Sequence, residues 1–342
     1  MRVIQIGEDD PANRWDAYVE PRTGAVTDLF AWRRIVGTTY GLRSHFYAAE
    51  EDGRIAGTLA LYEVRHPVFG HYLATAPFGN DGGLHFDDAA ARELLLREAR
   101  DLADRLNVAY LVIRTRGVEL EGFCVDSHYR TAVINLSGGA EEIWNARLPA
   151  KTRNQIRRGM KEGFSVESGP GLLETFHSVF HRHMRDLGSP AHSIHFYQSI
   201  IKHLRDRAEF FIVREGTELV AGALLFRVND VAMNLHTVAL RKYNRRCPNY
   251  LIYWKMIEAS CTRGCKRFDM GRSESDSPTL NFKSNWNPEL VPLSYNYYLR
   301  RLQQPPYLDP RNPKYRIPIA VWRKLPLFAT KTLGPQLIRG LV

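Results

Sequence analysis

Asp269, Arg272, Ser273 and Glu274, in Phe268-Asp269-Met270-Gly271-Arg272-Ser273-Glu274, stand just ahead of Phe282-Lys283. Together they bring two carboxylates, a guanidinium, a hydroxyl and an ammonium into one short stretch. Such groups suit transfer of an acyl group to an amine, which needs a carbonyl held against N–H donors, an amine kept neutral and an acceptor for its proton. Lys283 is a candidate to hold the developing oxyanion or a donor phosphate; its other reading is a solvated surface lysine. Asp269 and Arg272 flank a glycine at a strand end, where α/β sites collect, and they equally compose a structural ion pair. Glu274 and Asp276 are general-base candidates in a loop. His236, in Leu235-His236-Thr237, is either a base or hydrogen-bond donor or a core residue on an apolar strand.

Upstream lies a basic loop, Arg241-Lys242-Tyr243-Asn244-Arg245-Arg246-Cys247-Pro248, which opens a helical pattern from Asn249 to about Arg263. A helix N-terminus offers unpaired N–H groups and positive dipole to phosphate. Tyr243, Arg245 and Asn249 are therefore candidate donor-binding residues, beside Arg272 and Ser273. A second basic element starts at Leu148-Pro149, where Lys151, Arg153, Arg157 and Arg158 spread over adjacent helix faces. It reads as a phosphate clamp or as a solvated face. Tyr243 and Tyr250 can stack on a base, core packing being the other fate of Tyr250. No Ser/His/Asp order, P-loop or zinc spacing stands out, which points to metal-independent transfer.

These groups need a platform, and the apolar runs Ala221–Val228 and Val231–Leu240 supply two strands ahead of the basic loop. The hairpin that opens the platform recurs. Phe46-Tyr47-Ala48-Ala49, an acidic turn and Ile55-Ala56-Gly57-Thr58-Leu59-Ala60-Leu61 resemble Phe210-Phe211-Ile212-Val213, a Glu215-Gly216 turn and Val220-Ala221-Gly222-Ala223-Leu224-Leu225-Phe226. After each copy come a strand, a loop, a helix and a final strand: Asp88–Leu106 then Ala109–Arg114, and Asn249–Arg263 then Arg267–Gly271. One unit used twice, about 160 residues apart, is a duplication rather than a solenoid. Further helices are expected over 28–36, 172–187 and 195–204. Past Tyr298, Pro305, Pro306, Pro310, Pro313 and Pro318 predict an extended linker. The segment from Val321 to Arg339 mixes large apolar residues with Lys/Arg, as does a segment lying on a membrane surface or against the protein body.

The chain has 342 residues, of which 44% are hydrophobic and 25% charged, values that suit two globular domains rather than disorder. The net charge of +10 is concentrated in 300–342, where nine Lys/Arg face Asp309 alone (9 − 1 = +8). That balance suits RNA, nucleotide phosphates, phospholipid or anionic glycans alike. Cys124, Cys247, Cys261 and Cys265 form no disulfide framework and are expected as buried free thiols in a reducing compartment. The N-terminus turns acidic at Glu8-Asp9-Asp10 and lacks a signal-peptide core, and no 18-residue apolar run occurs. A cytoplasmic protein is expected, with a peripheral position at the inner face of the membrane as a further option.

Several spaced motifs then agree in order: Lys151-x-Arg153-x-x-Ile156-Arg157 before Gly163, His183-Met184-Arg185-Asp186-Leu187-Gly188-Ser189-Pro190, Val220-Ala221-Gly222, and Phe268–Ser273 with Phe282-Lys283-x-x-Trp286. The set resembles FemAB-type proteins, more narrowly the branch associated with exosortase and PEP-CTERM systems, within the wider group of BioF-like acyltransferase domains. It covers roughly Val3 to Tyr298 and is strongest from Leu148 onward. The resemblance implies an α/β (α+β) fold of two tandem GNAT-like domains with a cleft between them, each a mixed, mostly antiparallel sheet flanked by helices. The domains would span 1–147 and 148–299, followed by a Pro-rich basic tail, 300–342.

The resemblance also implies a transferase that moves an acyl or aminoacyl group to an amine of a cell-envelope or exopolysaccharide precursor, such as one of peptidoglycan. Two alternatives stand beside it: an acyl-CoA-dependent N-acetyltransferase, and a non-catalytic GNAT-like protein binding an anionic glycan, lipid or RNA. The resemblance to GNAT folds implies a splayed strand next to Leu235-His236-Thr237 that supplies a backbone donor, and the Phe282-Lys283 pair matches the family pattern. The loop Arg241–Arg246 departs from it, because the glycine-spaced pyrophosphate signature of ordinary GNAT enzymes is missing. No tightly bound cofactor is expected, and the donor is either acyl-CoA or aminoacyl-tRNA. In the first copy, the loop Ala76–Gly83 has glycines but no basic residue and is expected on the acceptor side. The partners implied are a small or lipid-linked precursor, tRNA, and a membrane surface met through the tail.

Overall fold

The computed structural model describes residues 1–7, 10, 12–306 and 313–342, without the side chains of residues 12, 13 and 313–315. Glu8 and Asp9 of the acidic N-terminal run, and Asp309 and Pro310 of the tail, lie outside the described residues. Among the described residues, 1–130, 291–306 and 337–342 form one compact unit, and 131–290 with 313–336 form a second.

In the first unit, β1 (Arg2–Ile6), α1 (Ala12–Val19) and α2 (Phe30–Tyr40) lead to the hairpin β2 (Arg43–Glu51) and β3 (Arg54–His66). A two-residue turn joins the hairpin strands, with Asp52 and Gly53 both at positive φ, a backbone twist that matches that of paired strands. Next come β4 (Gly70–Ala74), β5 (Leu84–Phe86), α3 (Ala89–Arg105), β6 (Tyr110–Arg116) and the start of β7 (Cys124–Asn135). The Asp88 carboxylate caps α3 by accepting from the Ala91 N–H at 2.8 Å. Ala91, Leu95, Ala99 and Leu102 then recur at helical spacing and bury against Leu59, Leu61, Leu73 and Leu111 of the sheet.

The chain enters the second unit within β7 and continues through α4 (Gly139–Glu142), a π-helical turn at Ile143–Arg147, α5 (Ala150–Lys161), β8 (Ser165–Gly169), α6 (Leu173–Leu187) and α7 (Ile194–Leu204). The second copy follows: hairpin β9 (Ala208–Glu215) and β10 (Glu218–Val228), then β11 (Val231–Ala239), α8 (Pro248–Thr262), β12 (Arg267–Glu274) and α9 (Pro278–Ser284). Both units are GNAT folds with one pattern. Three antiparallel strands (β2, β3, β4; β9, β10, β11) are followed by a helix (α3; α8) and a parallel fourth strand (β6; β12).

The last strands are exchanged between the copies. β13 (Glu289–Leu299) follows the second copy but pairs with β6 of the first unit, from Leu293 opposite Arg116 to Leu299 opposite Tyr110. Reciprocally, the second-unit half of β7 lies beside β12, where Thr131 donates to Asp269 and the Leu136 N–H donates to the Lys266 carbonyl at 2.7 Å.

Residues 300–306 form neither helix nor strand, but from Pro313 the tail is helical, so Pro313 and Pro318 do not lie in the expected extended linker. The tail forms α10 (Pro313–Lys324) and α11 (Leu327–Ile338), with Pro318 and Pro335 inside the helices. Pro313 opens α10, where a missing N–H costs nothing, and packing holds the rest. Trp322 donates to the Ser189 carbonyl at 3.1 Å, and a Cβ on Gly334 would stand 3.0 Å from the Ala191 carbonyl. Cys247 and Cys265 are buried thiols as expected, whereas Cys261 is part-exposed and Cys124, at the start of β7, is exposed.

Candidate active site

The second unit carries an opening in its sheet. β11 and β12 pair for only three residues, Val231 to Met233 against Arg267 to Asp269, and then part. At the same level the register of β11 with β10 slips: Leu224 faces His236 and Leu225 faces Asn234, so Leu235 is a bulge that pairs with neither neighbour. Val231–Asn234 and Val238–Leu240 are buried, whereas Leu235, His236 and Thr237 are part-exposed.

Asn234 staples the bulge. Its buried amide donates to the Leu224 and His236 carbonyls, both at 3.1 Å, and accepts from Thr237 Oγ1 at 2.8 Å and Tyr253 Oη at 3.2 Å. Tyr253, on α8, also packs on Phe282 and Trp286, tying the bulge to the helix that bears Lys283. Neither Asn234 nor Tyr253 stands out in the sequence, because register slips leave no local signal.

Lys283 is 4% exposed and donates to the Gly271 carbonyl at 2.6 Å and the Arg272 carbonyl at 3.1 Å. Gly271 is two residues past the last β11–β12 pair, level with Leu235 on the opposite arm. Burial pushes the Lys283 ammonium down to about 8, opposed by the Asp269 carboxylate and assisted by the Arg272 guanidinium. The surface-lysine alternative is thereby corrected. The residue is held by α9, whose Ser277 cap accepts from the Leu280 N–H at 3.1 Å and whose Pro278 occupies the first turn.

Around it, Asp269 is buried and accepts from the Gly271 N–H at 2.8 Å and from Thr131, which fixes the strand end. Ser273 is buried with no partner for its hydroxyl, Glu274 is half-buried and Arg272 is exposed. Asp276 is exposed in the turn before α9. His236 faces the other way, packing on Phe180 and His192 with its Nε2 unpartnered, and burial pushes it down to about 3.

The basic loop is a 3-10 helix over Arg241–Arg246 rather than an open cradle. Lys242 and the Tyr243 hydroxyl bind Glu218, and Arg246 binds Glu162 and Glu215 at 2.5 and 2.6 Å. Tyr243 is buried, so it offers no stacking face. Arg241 and Arg245 are exposed. Asn249 is in the first turn of α8, whose N-terminus has no side-chain cap.

α5 crosses that N-terminus closely, since a Cβ on Gly159 would meet the Cys247 carbonyl at 3.0 Å. Of its cations, Arg153 is committed to the Trp144 and Leu148 carbonyls at 3.1 and 2.5 Å. Arg157 lies over the Trp144 ring and Arg158 stands 3.9 Å from Glu162, whereas Lys151 is exposed. The structure thus brings Lys283, Asp269, Arg272 and Ser273 together, and leaves His236 and Arg153 in structural roles.

The first unit has an equivalent wedge, but its own chain fills it. β4 and β6 pair only at Leu73 with Leu111 and Ala74 with Val112. Beyond, the Gly82 N–H donates to the Arg114 carbonyl at 3.0 Å, and Arg114 Nη1 donates to the Ala76 carbonyl at 3.1 Å. Buried Asp28 accepts from the Gly83 N–H at 2.5 Å and from His85 at 3.0 Å.

Residues 150–284 match the family model described as an acetyltransferase (GNAT) domain, a stretch that holds the wedge, α8 and Lys283. No curated protein matches the chain in sequence. Among solved structures it is similar to FemX, with a TM-score of 0.66 at 15% identity over 88% of this chain and 98% of that one. It is also similar to the C-terminal domain of a putative lysylphosphatidylglycerol synthetase from Agrobacterium fabrum, with a TM-score of 0.59 at 13% identity over 84% and 91%. A tandem GNAT protein from the clavulanic acid biosynthesis pathway gives 0.58 at 12% identity over 87% and 98%. At these identities the likeness is one of fold, and the fold is a tandem GNAT.

Proposed function

We propose that this protein is a FemAB-like transferase that moves an acyl or aminoacyl group to an amine of a cell-envelope or exopolysaccharide precursor, with the chemistry in the second unit. The observation that carries this reading is the wedge, where the bulged Leu235 on one arm stands level with Gly271 and its Lys283 partner on the other. A donor carbonyl in the wedge would find the Leu235 amide as hydrogen-bond donor, and the carbonyl oxygen gains charge as the amine attacks. A C–N bond forms and the bond to the donor's sulfur or ester oxygen breaks. The incoming amine loses a proton to solvent or to a carboxylate such as Glu274 at the end of β12, while Lys283 supplies an N–H to the departing atom or oxyanion. At about 8 its acidity suits a proton donor that works near neutrality.

Donor phosphates would lie at the uncapped start of α8, with Arg241 and Arg245 as the exposed cations beside it. The first unit's wedge is closed by its own loop, which supports assigning the donor to the second unit. Acetyl-coenzyme A and aminoacyl-tRNA are separated by incubating the purified protein with each labelled donor. Retention of one, weakened in Arg245→Glu, supports the reading. Retention of neither, with tight salt-sensitive binding of an anionic glycan or RNA, overturns it.

A further inference from the structure

Five of the twelve exposed large apolar side chains among the described residues fall within one short stretch: Ile317, Val321, Leu327, Phe328 and Leu333. Ile317 and Phe328 are each 74% exposed, more than any other large apolar side chain among the described residues. Both helices that carry them already have a buried face. On α10 it is Ile319, against Gly188, and Trp322, on Ser189; on α11 it is Thr330 and Gly334, the latter against Ala191. The outward row of α10, Ile317, Ala320, Val321 and Lys324, follows helical spacing and is therefore a second face, left over after docking.

Charge narrows what covers that face. No Asp or Glu occurs from residue 310 to residue 342, and Arg316, Lys324 and Lys331 are exposed among the apolar groups. A second copy of the chain would set these cations against their own kind. An RNA backbone would meet aliphatic side chains where it needs donors and stacking rings. A bilayer with anionic headgroups matches both parts: phosphates for the cations, and the acyl boundary for Ile317, Val321 and Phe328. No helix among the described residues is long and apolar enough to cross a membrane, so these helices would lie in the interface plane.

We propose that α10 and α11 form a docking surface for an anionic phospholipid bilayer. The surface is independent of the transfer chemistry and stands or falls without it.

Co-sedimentation of the full chain with vesicles of equal parts phosphatidylglycerol and phosphatidylcholine tests it, against vesicles of phosphatidylcholine alone. The expected result is binding to the anionic vesicles that weakens with salt, and little binding to the neutral ones. Ile317→Ser with Phe328→Ser should lower the partition coefficient about tenfold or more. Arg316→Gln with Lys324→Gln should lower it about fivefold per cation and flatten the salt dependence. All four side chains are exposed, so unchanged thermal midpoints are expected and show that the variants fold. Wild-type protein that stays in the supernatant overturns the proposal, as do variants that sediment like wild type. So does a wild-type dimer in sedimentation velocity that the serine variants dissociate, because the face would then belong to a second copy.

Discussion

Lys283→Met replaces a buried ammonium by an uncharged chain of similar length, and it separates a catalytic lysine from a structural one. In the unfolded chain the amine titrates near 10.5 and in the folded protein at about 8. The unfolded state therefore binds the proton more tightly, and stability rises with pH across the window from about 8 to 10.5. Below that window the buried charge costs about 3 kcal/mol, from 1.36 kcal/mol per pH unit of difference. Against this, methionine leaves the Gly271 and Arg272 carbonyls without the bonds that the amine donates, each worth roughly 1 to 2 kcal/mol net. At pH 7 the variant should thus be close to wild type in stability. Between pH 7 and pH 9 wild type should gain about 1 kcal/mol on it, because the proton leaves Lys283 over that range.

Turnover should behave differently. Removing a preorganised donor from a transfer site lowers kcat by about a hundredfold or more, and the wild-type rate should fall as pH rises through about 8. Urea denaturation at the two pH values gives the stability difference, and single-turnover transfer from the bound donor gives the rate. A variant that turns over like wild type would remove Lys283 from the chemistry. A stability difference that does not change with pH would show that the amine is solvated.

Asn234→Leu should cost about 2 to 4 kcal/mol in urea, since it strips partners from the Thr237 and Tyr253 hydroxyls and from two carbonyls. A loss below about 1 kcal/mol would mean that the bulge at Leu235 holds without it. His236 has the opposite linkage sign to a stabilising charge. The unfolded ring takes a proton near 6.5 and the folded one only at about 3, so stability is lost as pH falls through that interval. By pH 4 the loss from this residue is about 3 kcal/mol. Urea titrations should show His236→Phe markedly less acid-sensitive than wild type but not acid-proof, because burial also holds His181, at about 4, and His192 down. An acid limb identical to wild type would show that His236 does not titrate with unfolding.

The duplicated hairpin, α3 and α8 are legible in the sequence because local alternation and 3.6-residue spacing report them directly. Lys283 is legible as a residue but not in its setting. Ser277-Pro278 is a helix-start signal, so the turn ahead of Phe282 could have been read as the cap of α9. The wedge is implied by the resemblance to GNAT folds but is not legible in the residues themselves, since a bulge at Leu235 depends on a register shared by two strands. Nor is the fate of the basic residues: Arg153 and Arg246 look alike on paper, and only the folded chain brings them carbonyls or the carboxylates of Glu162 and Glu215. Prolines mislead in the tail, where Pro313 starts a helix and Pro318 is carried by its packed neighbours Ile319 and Trp322.

The exchange of β7 and β13 also sets an order of assembly. As the chain emerges during synthesis, β6 is complete at Arg116, yet seven of its residues wait for partners on β13 that are made only after the whole second copy. Until then Leu111, Val112 and Ile113, fully buried in the finished protein, lie along an open strand edge. The first unit is therefore the first begun and the last closed. Conditions that slow elongation between residues 116 and 299 lengthen the time that edge is exposed, so yield and aggregation should respond to translation speed there more than to the intrinsic stability of either unit.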